Sequence, residues 1–257
     1  MNTIPKYDLV IVAHEKDFSH IKFIVEHSEN NLDFESIHLI LSEREPYQEI
    51  QILKKLTQRP IYIHKETDVL KIDRTRLNYR PNWTYQIFLK LFQNVTENDN
   101  FLVIEADSVI LKPLKFFEDN KTVFYLGRNY PHEPYFTFNK NVLGLEKRFN
   151  HSFICEFMMY DKKIIKDMIS KTGCDTPDEF MELVYKNISE YCVPADYEMY
   201  GNFVYEHHYD KFLTKQVTYE LHGRDGRKEK FSDNDIKTLI ERNKDLESLS
   251  FHVWYLN

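Results

Sequence analysis

Two carboxylates separated by a single residue follow the most apolar segment of the chain. Glu105 and Asp107 come directly after Phe101-Leu102-Val103-Ile104, and a second apolar run, Val109-Ile110-Leu111, begins two residues later. Side chains two positions apart on an extended backbone point to the same side, so both carboxylates could converge on one cation. Hard oxygen ligands suit Mg²⁺ or Mn²⁺, which usually keep open positions for substrate phosphates. The pair therefore predicts a divalent metal and phosphate site, although acidic residues are also common where a strand simply turns into a loop.

The residues before the acidic pair predict a scaffold that could position it. Short β-branched apolar runs predict buried strands, and apolar residues at helical spacing predict helices. The predicted strands are 7–13, 36–41, 60–64 and 100–104, and the predicted helices are 15–29, 46–57 and 81–93. This alternation is typical of an α/β layer with a mostly parallel sheet. In such sheets ligands bind beyond the carboxyl ends of the strands, where Ala13, His14, Ser42 and Glu105-Ala106-Asp107 stand.

The second half of the chain is less regular. Residues 123–127 and 152–160 predict strands, and helices are predicted at 161–171, 176–187, 197–205 and 233–246. No stretch rich in Pro, Gly or Ser interrupts the 257 residues. A single compact unit is therefore expected.

Composition narrows the class of protein. The formal net charge of −7 argues against a general nucleic-acid binder, although basic residues cluster at 73–76 and 224–230. The three cysteines form no CxxC pair, which favours a reducing compartment. The start of the chain lacks the apolar stretch of a signal peptide, and no apolar run approaches the roughly 20 residues that span a bilayer. We expect a soluble cytoplasmic protein, in the host cytoplasm if the source is viral, whose oligomeric state the sequence leaves open.

Three further motifs surround the acidic pair. They are Trp83, Gln86, Lys90 and Leu91 on the helix before it, Ser152-Phe153-Ile154 followed by Met158-Met159, and the block Asp196-Tyr197-Glu198-Met199-Tyr200-Gly201. With these motifs around it, Glu105-Ala106-Asp107 resembles the acid-x-acid (DxD) motif of GT-A-fold glycosyltransferases. The order of the four motifs is similar to that in an uncharacterised bacterial and viral family of GT-A-like proteins. The resemblance covers most of residues 7–205. Two positions depart from that pattern, since Glu105 and Asp196 stand where Asp and Glu are usual.

The resemblance implies a fold and an activity. The expected fold is a GT-A-like three-layer α/β/α sandwich with a mostly parallel central sheet, in one domain covering residues 1–257. Residues 1–110 would form the nucleotide-binding half, and residues 111–257 the acceptor half with a C-terminal closing segment. The expected activity is transfer of a sugar from a nucleotide-diphosphate donor to a hydroxyl of a glycan, lipid or small acceptor, with Mn²⁺ or Mg²⁺ as cofactor.

The resemblance also implies roles for individual residues. Asp107, Glu105 and a downstream histidine would hold the metal, with His222 preferred to His252. The donor would lie against Ala13, His14, Ser42, Gln86, Lys90, Glu105 and Ala106. One carboxylate of the last block, Asp196 ahead of Glu198, would orient the acceptor hydroxyl and take its proton. Each residue also has a structural alternative, because Asp196 and Glu198 could complement a helix dipole and Lys90 could cover an amphipathic helix.

Two other functions remain open at this point. A nucleotidyltransferase uses a similar α/β layer with paired acids, but it usually has a Gly- and Lys/Arg-rich loop after its first strand, and residues 12–16 contain no glycine. A glycosyltransferase-like domain that has lost activity and binds a glycan or a partner is the other alternative. Glu105 stands where Asp is usual in this motif, which favours keeping this alternative.

Overall fold

The computed structural model describes residues 4–42, 47–148, 150–223 and 231–252, so the basic cluster at 224–230 lies outside the described residues. The strands are β1 (Tyr7–Ala13), β2 (Ile37–Leu41), β3 (Ile61–Lys65), β4 (Asn100–Ile104), β5 (Ser108–Ile110), β6 (Phe117–Glu118), β7 (Lys121–Leu126), β8 (Phe157–Asp161), β9 (Phe212–Gln216), β10 (Tyr219–His222) and β11 (Ser248–Phe251). The helices are α1 (Phe18–Asn31), α2 (Tyr47–Leu56), α3 (Glu66–Val69), α4 (Pro81–Phe92), α5 (Glu133–Leu143), α6 (Lys162–Lys171), α7 (Pro177–Asn187), α8 (Asp196–His207) and α9 (Asp233–Arg242).

A central sheet organises the described part of the chain in the order β3-β2-β1-β4-β8. The first four strands run parallel, and β8 pairs antiparallel with β4 at one edge. Every residue of β1 and β2 is buried, as expected for strands covered on both faces. The predicted α/β fold with a mostly parallel sheet is therefore confirmed.

Helices cover both faces of this sheet. Because successive strand side chains point to opposite faces, Leu9 and Ile11 pack towards α1, α2 and α9, whereas Val10 and Val12 pack towards α4 to α8. Each face carries its own apolar core, in which the side chains of the strands are fully or almost fully buried. The result is three layers, helices on sheet on helices.

Two smaller three-stranded sheets accompany the central sheet. In one, β11 pairs antiparallel with β5 and parallel with β10. In the other, β7 pairs parallel with β9 and antiparallel with β6 through a tight hairpin. Asp119 and Asn120 occupy this hairpin with φ of 51° and 60°, the left-handed pair that a two-residue type I′ turn requires. The pairing of β11 with β5 brings the end of the described chain back to the strand that follows Asp107.

The structure differs from the predicted elements mainly in the second half. The predicted strand at 152–160 is regular only from Phe157, because residues 152–156 form an irregular segment held to Gly127 by a β-bridge. Helix α5 and strands β9, β10 and β11 have no counterpart among the predicted elements. Strands β9, β10 and β11 are four or five residues long and pair with strands remote in sequence. Segments this short carry too few residues for an alternating apolar pattern to be recognised from the sequence.

No helix among the described residues combines the length and the apolar character needed to cross a membrane.

A chain of polar side chains crosses one face of the sheet at β1, β2 and β3. Ser36 Oγ donates to Asp8 Oδ1 at 2.7 Å and lies 2.9 Å from His38 Nε2, and His38 Nδ1 lies 3.1 Å from His64 Nε2. The pKa of His38 is lowered to about 4, chiefly by burial; Asp8 opposes this shift, and His64 and Lys162 contribute to it. His38 is therefore neutral in the folded protein at pH values where it is charged in the unfolded chain.

This difference predicts a pH-dependent loss of stability. With a pKa near 4 in the folded state and near 6.5 in the unfolded chain, the stability contributed by neutral His38 is complete above pH 6.5 and falls as the pH drops towards 4. Relative to a His38→Gln variant, the wild-type protein should lose about 2 kcal/mol of unfolding free energy between pH 7.5 and pH 5. Urea titrations of both proteins at the two pH values measure this difference. An equal change in unfolding free energy in the two proteins would contradict this prediction.

Candidate metal and donor site

The acidic pair lies in a turn rather than on a strand. Strand β4 ends at Ile104, the Ser108 amide donates to the Glu105 carbonyl at 3.1 Å, and Ala106 and Asp107 occupy the turn between them. The rule that places side chains two positions apart on the same side holds only for an extended backbone. The two carboxylates therefore have different partners, Lys90 and Tyr197 for Glu105 and His252 for Asp107.

Glu105 belongs to a buried ionic cluster. Its Oε1 pairs with the Lys90 ammonium and accepts a hydrogen bond from Tyr197 Oη at 2.8 Å. The same ammonium lies 3.2 Å from Asp196 Oδ2, and the Lys90 and Asp196 side chains are about 5% exposed. Burial alone would lower the pKa of Lys90, but the two carboxylates outweigh it and hold this pKa above its usual range. Lys90 is therefore a charged group shared by Glu105 and Asp196, and it joins α4, the end of β4 and the start of α8.

Glu198 makes a second set of buried contacts. One carboxylate oxygen accepts from Ser152 Oγ at 2.5 Å and from the Phe153 amide at 3.2 Å, and the other accepts from Asn202 Nδ2 at 2.9 Å. Gly201, one turn along α8, lies so close to the Phe153 ring that a Cβ at this position would overlap it. The Ser-Phe motif and the Glu-x-x-Gly spacing of the last block thus form one packing unit. This geometry favours a structural role for Glu198 over the proton-accepting role predicted from sequence.

Asp107 belongs to a different cluster, together with Glu156 and His252. His252 Nδ1 lies 3.1 Å from Asp107 Oδ2, and His252 Nε2 lies 3.6 Å from Glu156 Oε1. One ligand atom from each residue falls within 4.8 Å of the other two. Burial lowers the pKa of His252, but the two carboxylates outweigh it and raise this pKa to about 11. In the structure a protonated imidazole therefore balances the two acidic side chains.

Glu156 is held in an unusual backbone conformation. Its φ is 71°, in the left-handed region that a residue with a side chain seldom adopts, and its side chain is buried. Such a conformation costs on the order of 1–3 kcal/mol and is concentrated at functional sites. The Glu156 carbonyl also accepts the Glu105 amide at 2.9 Å, which ties this segment to the acidic turn. The available sequence signal was a single glutamate that interrupts the apolar run from Phe153 to Tyr160.

The donor set of this cluster fits a divalent cation. Two carboxylate oxygens and one imidazole nitrogen are hard and intermediate ligands, a combination that suits Mn²⁺ and leaves positions for phosphate oxygens. A bound cation would take the place of the imidazole proton, because a histidine must be neutral to act as a ligand. Asp107, Glu156 and His252 are thus the residues of the described chain that could hold the metal.

The predicted histidine His222 has another partner. It ends β10, where its carbonyl accepts the His252 amide at 2.9 Å, and its Nε2 lies 3.4 Å from Asn243 Nδ2. The structure therefore places His252 beside Asp107 and directs the His222 ring to α9 and its following turn. His222 ends β10 and His252 directly follows β11, so both histidines lie at the same end of this strand pair.

Three predicted donor residues, Ala13, His14 and Ser42, lie at the carboxyl ends of β1 and β2. Ala13 is buried at the end of β1, where its carbonyl accepts the Ser42 amide at 3.3 Å, and His14 follows it in an exposed position. Asp17, in the short turn after β1, is close enough to Asp107 for their charges to interact; burial chiefly raises its pKa, to about 6. The turn after β1 is therefore near Asp107.

The other two predicted donor residues are Ala106 and Gln86. Ala106 packs its side chain into the core on the α1 side. Gln86 is half-buried one turn before Lys90 on α4.

The comparisons with known proteins give a family and a fold. The model of the Family of unknown function (DUF6492) matches residues 13–228. A sequence comparison with curated proteins gives no match. The WbbM bifunctional glycosyltransferase in its apo form has a TM-score of 0.56 and 13% identity over 97% of this chain, which spans 46% of the WbbM chain.

Two further solved structures cover this chain almost completely and are themselves largely covered by it. The apo form of mouse xyloside xylosyltransferase 1 has a TM-score of 0.51 and 9% identity over 95% of this chain and 97% of that chain. An active-site mutant of LgtC has a TM-score of 0.51 and 13% identity over 95% of this chain and 86% of that chain. At these identities the similarity shows the fold, which is that of GT-A-like glycosyltransferases.

The buried ionic cluster predicts a large effect of removing Lys90. A Lys90→Met variant keeps the length of the side chain but leaves Glu105 and Asp196 buried without their cation, which should cost about 3–5 kcal/mol of unfolding free energy. Chemical denaturation measures this cost. The control is Lys163→Met, which removes an exposed ion pair with Asp99 and should change the stability little. Equal losses of unfolding free energy in the two variants would show that the buried cluster stabilises the fold no more than an exposed ion pair does.

Proposed function

The chain belongs to the Family of unknown function (DUF6492), and we propose that it is a metal-dependent glycosyltransferase that uses a nucleotide-diphosphate sugar. One observation supports this most directly. Asp107, Glu156 and His252 converge at the carboxyl edge of the parallel sheet, the edge at which α/β folds bind their ligands. The GT-A-like fold supplies the class of reaction, and the cluster supplies a site for the cation that this class commonly uses.

In the proposed reaction the acceptor oxygen forms a bond to the anomeric carbon of the donor sugar. The bond from that carbon to the diphosphate breaks and its electron pair leaves on the phosphate oxygen, while the acceptor proton passes to solvent. A bound Mn²⁺ or Mg²⁺ would neutralise the charge that develops on the diphosphate. Asp107, Glu156 and His252 would hold that cation.

The buried cluster acts in support of this site. Lys90 is enclosed by Glu105 and Asp196, so we assign it to positioning the acidic turn rather than to direct contact with the donor phosphates. For the same reason we propose that Glu105 belongs to this buried cluster and does not hold the metal. Asp196 is 4% exposed, and we propose that it fixes the start of α8 near the acceptor side.

The two halves predicted from sequence have a place in this proposal. The ends of β1 and β2, with Ala13, His14 and Ser42, would receive the nucleoside. The second half would form the acceptor side and also complete the metal site, because Glu156 and His252 both come from it.

The ligand set predicts how the affinity for Mn²⁺ responds to substitution. Asp107→Asn and Glu156→Gln should each weaken Mn²⁺ binding at least about tenfold, because each removes a charged ligand. Glu105→Gln should change the affinity much less, because its partner is Lys90. Isothermal calorimetry measures these affinities, and Glu118→Gln, at an exposed ion pair with Lys215, serves as a surface control. If Glu105→Gln weakens binding as much as Asp107→Asn and Glu156→Gln has no effect, the assignment of ligands is wrong.

The proposed activity predicts which nucleotides stabilise the protein. UDP or GDP should raise the melting temperature in the presence of Mn²⁺ and not in its absence, because a cation held by Asp107 would neutralise the charge of the diphosphate. Incubation with the matching nucleotide sugars should then release the nucleoside diphosphate slowly, with water as acceptor. A response to triphosphates alone would instead support a nucleotidyltransferase. Binding without any turnover of a broad donor panel would support a glycan- or partner-binding protein.

A further inference from the structure

A cavity of about 300 Å³ opens beside the metal cluster. Its wall includes Arg128, Tyr130, Ile154, Glu156, Tyr219 and Glu220. Glu156 belongs to both this wall and the metal cluster, so a molecule in the cavity lies next to the proposed site of transfer. The other wall residues come from the segment after β7, the irregular segment before β8 and strand β10.

The cavity is held open by packing of its own wall. Gly127 pairs with Ser152 in a β-bridge, and a Cβ on Gly127 would overlap the Ile154 carbonyl and lie 3.1 Å from Tyr219 Oη. The Arg128 amide donates to Tyr219 Oη at 3.1 Å. These contacts set the distance between the β7 segment and β10, and they show that the cavity is a formed feature of the fold.

The chemistry of the wall fits a sugar ring. Tyr130 and Tyr219 present aromatic surfaces on which the apolar faces of a pyranose can lie. The carboxylates of Glu156 and Glu220 and the guanidinium of Arg128 can exchange hydrogen bonds with hydroxyl groups. An acyl chain would exclude water from these polar groups without offering them hydrogen bonds, which is unfavourable. The volume lies at the lower end of ligand pockets and accommodates a small ligand.

The sheet order places the cavity on the acceptor side. In the order β3-β2-β1-β4-β8, the ends of β1 and β2 lie on one side of the acidic turn after β4, and the segment leading into β8 lies on the other. A donor with its nucleoside over β1 and β2 and its diphosphate on Asp107 therefore approaches Glu156 from the side opposite to the cavity.

We propose that this cavity binds the terminal sugar of a saccharide acceptor and presents one of its hydroxyls towards Glu156. This assignment rests on the proposed function, which it deepens by naming a carbohydrate as the acceptor rather than a lipid chain. Tyr130 supplies the outer aromatic wall, since it is 36% exposed and packs against the His132 ring with centroids 5.8 Å apart.

The first test uses the full-length protein without metal or nucleotide. Saturation-transfer difference NMR with the methyl glycosides of glucose, galactose, mannose and N-acetylglucosamine should show binding of at least one of them. Tyr130→Ala should weaken this binding at least about fivefold, whereas Tyr130→Phe should retain it, because the ring face makes the contact. Tyr191→Ala removes an equally polar side chain that is 72% exposed elsewhere, and it should bind as the wild type does. If no glycoside binds, or if binding is the same in Tyr130→Ala and wild type, the proposal is overturned.

The second test separates an acceptor from the sugar of the donor. The bound glycoside should remain bound when UDP-glucose or another nucleotide sugar is added with Mn²⁺, and its transfer product should form more slowly in Tyr130→Ala. Competition by the nucleotide sugar but not by UDP alone would place the donor sugar in the cavity and overturn the acceptor assignment. Since the first test needs neither metal nor nucleotide, its failure is distinguishable from a failure of the proposed function.

Discussion

The Lys90 ammonium, enclosed between Glu105 and Asp196, is the interaction on which the arrangement of the site depends. It connects α4, the end of the central strand β4 and the first turn of α8, which begins about ninety residues after β4. A charge so deeply buried is stable only with its partners in place, because removing either a carboxylate or the ammonium leaves an uncompensated charge in a region of low polarity. The Tyr197 hydroxyl adds a directional hydrogen bond to Glu105, so the cluster also fixes the orientation of that side chain.

This cluster determines what the neighbouring acid can do. Because Glu105 is directed to Lys90, the turn after β4 presents Asp107 to the opposite side, where Glu156 and His252 meet it. Each acidic group thereby has its own positive partner, a lysine in one cluster and a protonated histidine in the other. A permanent cation suits the first cluster, since a lysine keeps its charge when partnered by two carboxylates. The second cluster has a proton that a metal can replace, which is the property that a binding site needs.

The motifs around the acidic pair have two kinds of role. Lys90 and Asp196 belong to the ionic cluster, whereas Ser152, Glu198 and Gly201 pack the irregular segment before β8 against α8. This packing matters for the site because the same segment continues to Glu156, whose left-handed backbone is maintained by its surroundings. These motif residues therefore hold in place the segment that carries a proposed metal ligand.

The sequence by itself determined the α/β layer and the position of the acidic pair at the end of β4. These features follow from local periodicity and from chain direction, because a run such as Phe101–Ile104 is long and apolar enough to be recognised alone. Only the tertiary structure decided that Glu105 and Asp107 have different partners, that His252 rather than His222 meets Asp107, and that Glu156 joins them. Those outcomes depend on a turn that breaks the two-residue alternation and on short strands paired across more than a hundred residues, and neither leaves a periodic trace in the sequence.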